Sequence, residues 1–145
     1  MLTVHDFILK EKSEDWASWT TGKEIIFLGK PFNNRPLELS IHTNHGIEDV
    51  IDKINDYMEW LAKDTAKDIL MAGLCDHVNE YDSVTPEELN EINWFETLQV
   101  YRVLLTITAD GRVGVDFSCG DNYDKGHLLD MGLLEQEVVE VGYDG

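Results

Sequence analysis

Basic side chains are scarce in this sequence. Its 145 residues hold 11 Lys+Arg against 29 Asp+Glu, a formal net charge of −18. A field of that sign repels nucleic-acid phosphates and anionic headgroups, so direct binding to DNA, RNA or a charged membrane is not expected. Cysteine is scarce too: Cys75 and Cys119 are the only two and lie far apart, which leaves no disulfide framework and no cysteine-rich zinc module. The segment Met1 to Lys12 interleaves His5, Asp6 and Lys10 with apolar residues, unlike a secretory leader. No apolar run approaches the roughly 20 residues that span a bilayer. The expected compartment is cytoplasmic, with reduced thiols.

What is present is material for one core. Hydrophobic residues make up 43% and aromatic residues 10%, with four Trp, which separates the chain from acidic disordered sequences. No linker, repeat or low-complexity segment divides it, and its length suits a single domain over residues 1–145. The charge is not spread evenly. Residues 1–46 are nearly balanced at −1, residues 47–97 carry fourteen acids against three bases for −11, and residues 98–145 carry −6.

The first third reads as β. Glu24 to Leu28 is a short apolar run between Gly22 and Gly29, and Leu37 to Ile41 alternates with period two. With Pro31 to Pro36 as turn chemistry between them, the two are expected to pair as antiparallel strands. The segment around Trp16 and Trp19 fits a short helix or a strand. From Ile47, apolar residues recur every three or four positions through Val50, Ile51, Ile54, Met58 and Leu61, so an amphipathic helix is expected. A second apolar stripe runs from Ala66 to about Val78, as a second helix or the continuation of a bent one. Thr85-Pro86-Glu87-Glu88 is a helix start with cap, proline and capping box, and that helix is expected to end near Trp94-Phe95. Leu98 to Thr108 and Arg112 to Phe117 form a hairpin around Ala109-Asp110-Gly111, and Val138 to Val141 supplies a last strand. The expected fold is α+β: a mostly antiparallel sheet packed against two or three helices.

Chemistry-bearing motifs are incomplete. His42 and His45 sit at a strand end, where their spacing does not place them on one face. Cys75-Asp76-His77 on a helix diverge by about 100° per residue, so they do not converge on an ion, and Cys75 is expected in the core. The loop Asp121 to Gly126 lacks the alternating oxygen ligands and terminal Glu of a calcium-binding loop. There is no nucleophile elbow, no phosphate-cradling glycine loop, and no base beside Cys119 in sequence. No metal, no cofactor and no catalytic residue is expected on these grounds.

Residues 47–142 do resemble a family. Thr85-Pro86-Glu87-Glu88-Leu89, the Ala109-Asp110-Gly111 turn, an acidic loop, Gly126-His127-Leu128 and a closing strand to Val141-Gly142 look like an uncharacterised bacterial family, domain of unknown function two-two-six-two. Tyr123-Asp124-Lys125 departs from it, since an aromatic pair would precede Gly126-His127. The resemblance implies an intracellular bacterial protein and makes Gly126 and His127 structurally notable; a glycine at a strand entry is expected to serve backbone geometry, and a histidine beside it to satisfy a buried hydrogen bond. The resemblance implies no activity.

Two functional expectations follow. The first is a protein-binding module, most concretely an immunity or antitoxin-like protein that masks a basic partner such as a toxin nuclease. Its face would be Glu48, Asp49, Asp52, Asp56 and Glu59, with Trp60 as an aromatic anchor. The second is a small-ligand binder or enzyme using the loop around Asp121, Asp124 and His127. Sequence leaves the oligomeric state open.

Overall fold

A computed structural model describes residues 1–42 and 45–144. After a single 3-10 turn at Val4–Asp6 come five strands: β1 (Ile8–Lys12), β2 (Ala17–Thr21), β3 (Ile25–Phe27), β4 (Lys30–Phe32) and β5 (Leu37–Ile41). Three helices follow, α1 (Ile47–Leu61), α2 (Asp64–Val78) and α3 (Pro86–Glu91), and then β6 (Gln99–Ile107), β7 (Val113–Gly120), β8 (Leu128–Leu134) and β9 (Glu137–Asp144). Seven strands form one sheet in the order β1-β2-β5-β6-β7-β8-β9, and β3 pairs with β4 alone. Every neighbouring pair of the large sheet is antiparallel except β5 and β6. Parallel neighbours need a long crossover, and the segment that carries all three helices supplies it. The fold is α+β.

The expected pairing of Glu24–Leu28 with Leu37–Ile41 does not occur. Ile25–Phe27 folds back onto Lys30–Phe32 instead, because Leu28 and Gly29 both take positive φ, 53° and 77°. Two left-handed residues in succession form the tight turn that matches the twist of a hairpin. Pro31 then lies inside β4, which an edge strand tolerates because its missing N–H faces no neighbour. The Pro31–Pro36 stretch is thus part strand and part connection. Leu37–Ile41 pairs with β2 and with β6. In the segment around Trp16 and Trp19, the strand is Ala17–Thr21, with Trp16 just before it, and β1, whose five residues are all exposed, adds an edge that periodicity alone did not reveal.

Alternation along each strand separates the two sheet faces. Trp19, Leu39, Leu105, Val115, Leu133 and Val138 are register partners across six strands. Leu39, Leu105, Val115 and Leu133 are almost wholly buried, each contributing about 1.5–3 kcal/mol of apolar burial. The next row, Thr20, Glu38, Leu104, Asp116, Gly132 and Glu140, points to the opposite side. α1 and α2 cover the apolar rows: Ile54, Leu61, Leu70 and Leu74 have no exposed surface. The stripe from Ile47 to Val78 is two helices, because Lys63 is extended (φ −90°, ψ 157°) between them. Gly73 brings α2 close to the sheet, since a Cβ there would stand 2.8 Å from a methyl of Val138. α3 begins as expected, with the Glu88 N–H donating to Thr85 Oγ1 at 3.2 Å, but ends at Glu91, short of Trp94.

Candidate functional site

α1 presents the acidic face that its periodicity predicts. Ile47, Val50, Ile54, Tyr57, Met58 and Leu61 are buried, which turns Glu48, Asp49, Asp52, Asp56 and Glu59 outward, all exposed. The five do not have equal freedom. Asp49 accepts the Gly46 N–H at 3.0 Å and stands 3.9 Å from His45, so it serves the helix start, where a carboxylate is favoured by the orphan amides. Asp52, Asp56 and Glu59 have no hydrogen bond or ion pair among the described residues. The helix has a single cation, Lys53, and its ammonium donates to the Gly111 carbonyl at 2.6 Å. That contact draws the lysine to the β6–β7 turn and leaves the stripe without a counter-charge of its own.

A groove adjoins the carboxyl end of this stripe. It encloses about 380 Å³ between α1, the β3–β4 hairpin and the chain start, over Leu2, Ile25, Ile26 and Met58, with Asp56, Glu59 and Glu24 also lining it. Lys23 lines it as well, but its ammonium is engaged by the Met1 carbonyl at 3.1 Å and Asp6 at 3.3 Å. Glu24 accepts the Asn33 amide at 2.7 Å, and an apolar floor edged by the unpaired Asp56 and Glu59 is shaped for a lysine or arginine, whose stem is apolar and whose head is charged. Trp60 is half-buried and stacked on Tyr57, with ring centroids 5.7 Å apart. It braces the helix more than it projects from it.

The loop after β7 is organised differently. Asp121 accepts the indole N–H of Trp94 at 2.8 Å, the phenol O–H of Tyr143 at 2.5 Å and the Asp124 N–H at 3.0 Å. Burial first, and then this hydrogen bond, push the Tyr143 phenol far above its ordinary range. Trp94 has no exposed surface, so Asp121 satisfies the one polar atom of a core indole. Tyr123 donates to Asp82 at 2.6 Å, which holds that carboxyl below its usual range. Asp124 meets His127 Nδ1 at 2.7 Å, and Gly126 between them takes a φ of +90°. His127 is exposed, so the buried hydrogen bond expected of it is not what stands here. Its other ring nitrogen makes no hydrogen bond among the described residues. Asp121 and His127 both line an open hollow of about 520 Å³, yet among the described residues no serine or cysteine side chain is hydrogen-bonded to the imidazole.

Neither thiol supplies a nucleophile nearby. Both cysteines are free and buried, Cys75 in the core as expected, and burial pushes the Cys119 thiol up to about 12, where it stays protonated at neutral pH. The His42 Nε2 bonds Ser40 Oγ at 2.8 Å, and that hydroxyl accepts the Trp16 indole N–H at 2.6 Å. Thr43 and Asn44, which separate His42 from His45, lie outside the described residues. Among the described residues, no three His, Cys, Asp or Glu side chains are placed to hold a metal ion, and no helix is long and apolar enough to cross a membrane.

One set of carboxylates escaped the sequence reading. On the helix-free face, Asp116, Asp130, Glu140 and Asp144 come together from β7, β8 and β9. Burial, and then Glu140, raise the Asp116 carboxyl, with Arg102 opposing. A hydrogen bond to Asp130 raises Asp144, while Asp130 also accepts Ser118 Oγ–H at 2.5 Å. The β7–β8 hairpin register carried the signal, since it pairs Ser118 with Asp130 and Asp116 with Gly132.

Compared with known proteins, the chain matches no family model, no curated protein and no solved structure. The family resemblance of residues 47–142 therefore rests on the quoted motifs alone.

Proposed function

We propose that this chain is an acidic protein-binding module that neutralises a basic partner, in the manner of an immunity or antitoxin-like protein masking a toxin nuclease. The observation that carries the reading is the α1 stripe with its groove: Asp52, Asp56 and Glu59 unpaired, the helix's only lysine drawn off to Gly111, and an apolar cleft beside two of the three. Unpaired exposed carboxylates raise the encounter rate with a cationic surface, and the cleft gives a partner side chain something to bury. Such masking needs no catalytic group, cofactor or metal. A folded basic nuclease is the probe: its affinity should fall steeply as salt rises from low to physiological strength. Absent or salt-independent binding overturns the reading.

The alternative, a small-ligand site in the loop, has one observation in its favour, the Asp124–His127 pair beside the open hollow. It draws nothing from Asp121, whose carboxylate is occupied by Trp94 and Tyr143.

A further inference from the structure

The two ends of the large sheet are β1 and β9, and they differ in how their open edges are protected. An edge strand offers a row of backbone N–H and C=O groups to any strand that can approach, and proteins usually block it with lysine, proline or an inward charge. β1 carries Lys10 and Lys12. β9, Glu-Val-Val-Glu-Val-Gly-Tyr-Asp, carries neither lysine nor proline; its guards are Glu137, Glu140 and Asp144. Carboxylates repel a second copy of β9, but they do not repel a basic strand. A bulge interrupts the register between Gly132 and Leu133, leaving Val139 without a partner residue and 62% exposed. From Glu140 to Asp144 the pairing with β8 is regular, so the outer side of that stretch is a straight template.

Beside this edge lies a groove. It holds about 630 Å³ between α2 and β9, with Ala72, Gly73, Val138 and Val139 as its apolar lining and Asp76, Glu80, Glu137 and Glu140 as its charged lining. His77 also lines it, and no lysine or arginine does. Asp76 and Glu80 of α2 stand along this apolar trough, and Glu137 and Glu140 line it from the strand edge; with the open backbone of β9 beside them, they match a segment that is extended, basic and apolar in alternation. In strand addition the main chain gives affinity and alternate side-chain pockets give specificity.

We propose that the β9 edge and the α2–β9 groove receive an extended basic segment of the partner protein, which adds to the sheet as a further strand. This rests on the reading of the chain as a binder of a basic protein, and it names a second surface, apart from α1, through which that partner is held. A second copy of the chain offering its β1 edge is disfavoured because two bodies of charge −18 repel each other.

The test titrates the isotopically labelled chain with a peptide of about ten residues alternating valine and lysine, and in parallel with a peptide of equal charge interrupted by prolines. The expected result is binding of the first peptide with amide shifts along Glu140–Asp144 and at Ala72 and Gly73. Val139→Lys and Val139→Pro should each weaken it by about tenfold or more; a proline is tolerated at a bulge, and the lysine variant keeps the backbone donor should the proline disturb folding. Equal binding of the two peptides overturns the strand-addition proposal, as do shifts confined to α1. Failure of both peptides while a folded basic nuclease still binds overturns it and leaves the masking reading intact; failure of the nuclease as well removes both. A concentration-dependent doubling of mass with shifts at β1 and β9 overturns it in favour of self-association.

Discussion

The α1 stripe and the loop after β7 both concentrate carboxylates, but the two regions use them in opposite ways. In the loop, Asp121 is held by an indole, a phenol and a backbone amide, Asp124 by His127, and Tyr123 reaches across to Asp82. Its charges are internal fasteners. On α1, Asp52, Asp56 and Glu59 fasten nothing, so removing them should leave the fold alone and change only what the surface attracts. Charge density alone therefore does not distinguish the two regions; the presence or absence of internal partners among the described residues does.

The largest effect should come from breaking the loop's hub. Asp121→Ala leaves the buried Trp94 indole and the Tyr143 phenol without acceptors, and should destabilise the chain by about 3 kcal/mol, read as a lower urea midpoint. A shift within about 0.5 kcal/mol would show that Asp121 is not the fastener described and would reopen it as a functional group. A smaller effect of opposite sign is expected on the helix-free face. The folded-state pKa of Asp144 is raised by Asp130, so this group favours the fold in acid and opposes it once the pH has risen through that raised value. Asp144→Asn should therefore raise the melting temperature at pH 7, with the gain vanishing below the ordinary carboxylate range. An equal gain at both ends of the pH range would contradict this origin. The smallest effect is expected from His127→Ala. The pair with Asp124 is half in solvent, with side-chain exposures of 46% and 36%, and such pairs contribute about 0–1 kcal/mol. A larger loss in thermal melts would mean that His127 holds the loop after all.

Much of this architecture was legible because periodicity and capping are local. The α1 stripe, the Thr85 cap and the β6–β7 hairpin each follow from spacing within one segment. What stayed hidden depends on long-range register or on conformations that residue type disguises. Leu28 takes a left-handed turn position that leucine rarely adopts, which is why the hairpin was assigned to the proline- and asparagine-rich stretch after it. The Asp121 hub joins Trp94 and Tyr143 from distant segments, and no spacing rule connects them. The Asp116, Asp130, Glu140 and Asp144 cluster needed the order of three strands before those residues could be seen as neighbours. Conversely, Trp60 looked like an anchor from its place beside acidic residues, and the stack on Tyr57 was invisible in sequence.

The central claim is tested most directly by the association rate of a folded basic nuclease with two neutralised variants at low salt. One carries Asp52→Asn, Asp56→Asn and Glu59→Gln; the other carries Asp124→Asn alone. The account predicts that the α1 variant associates about tenfold or more slowly with an unchanged melting temperature, while the loop variant keeps the wild-type rate. Equal rates for wild type and the α1 variant, or slowing by the loop variant alone, would contradict it.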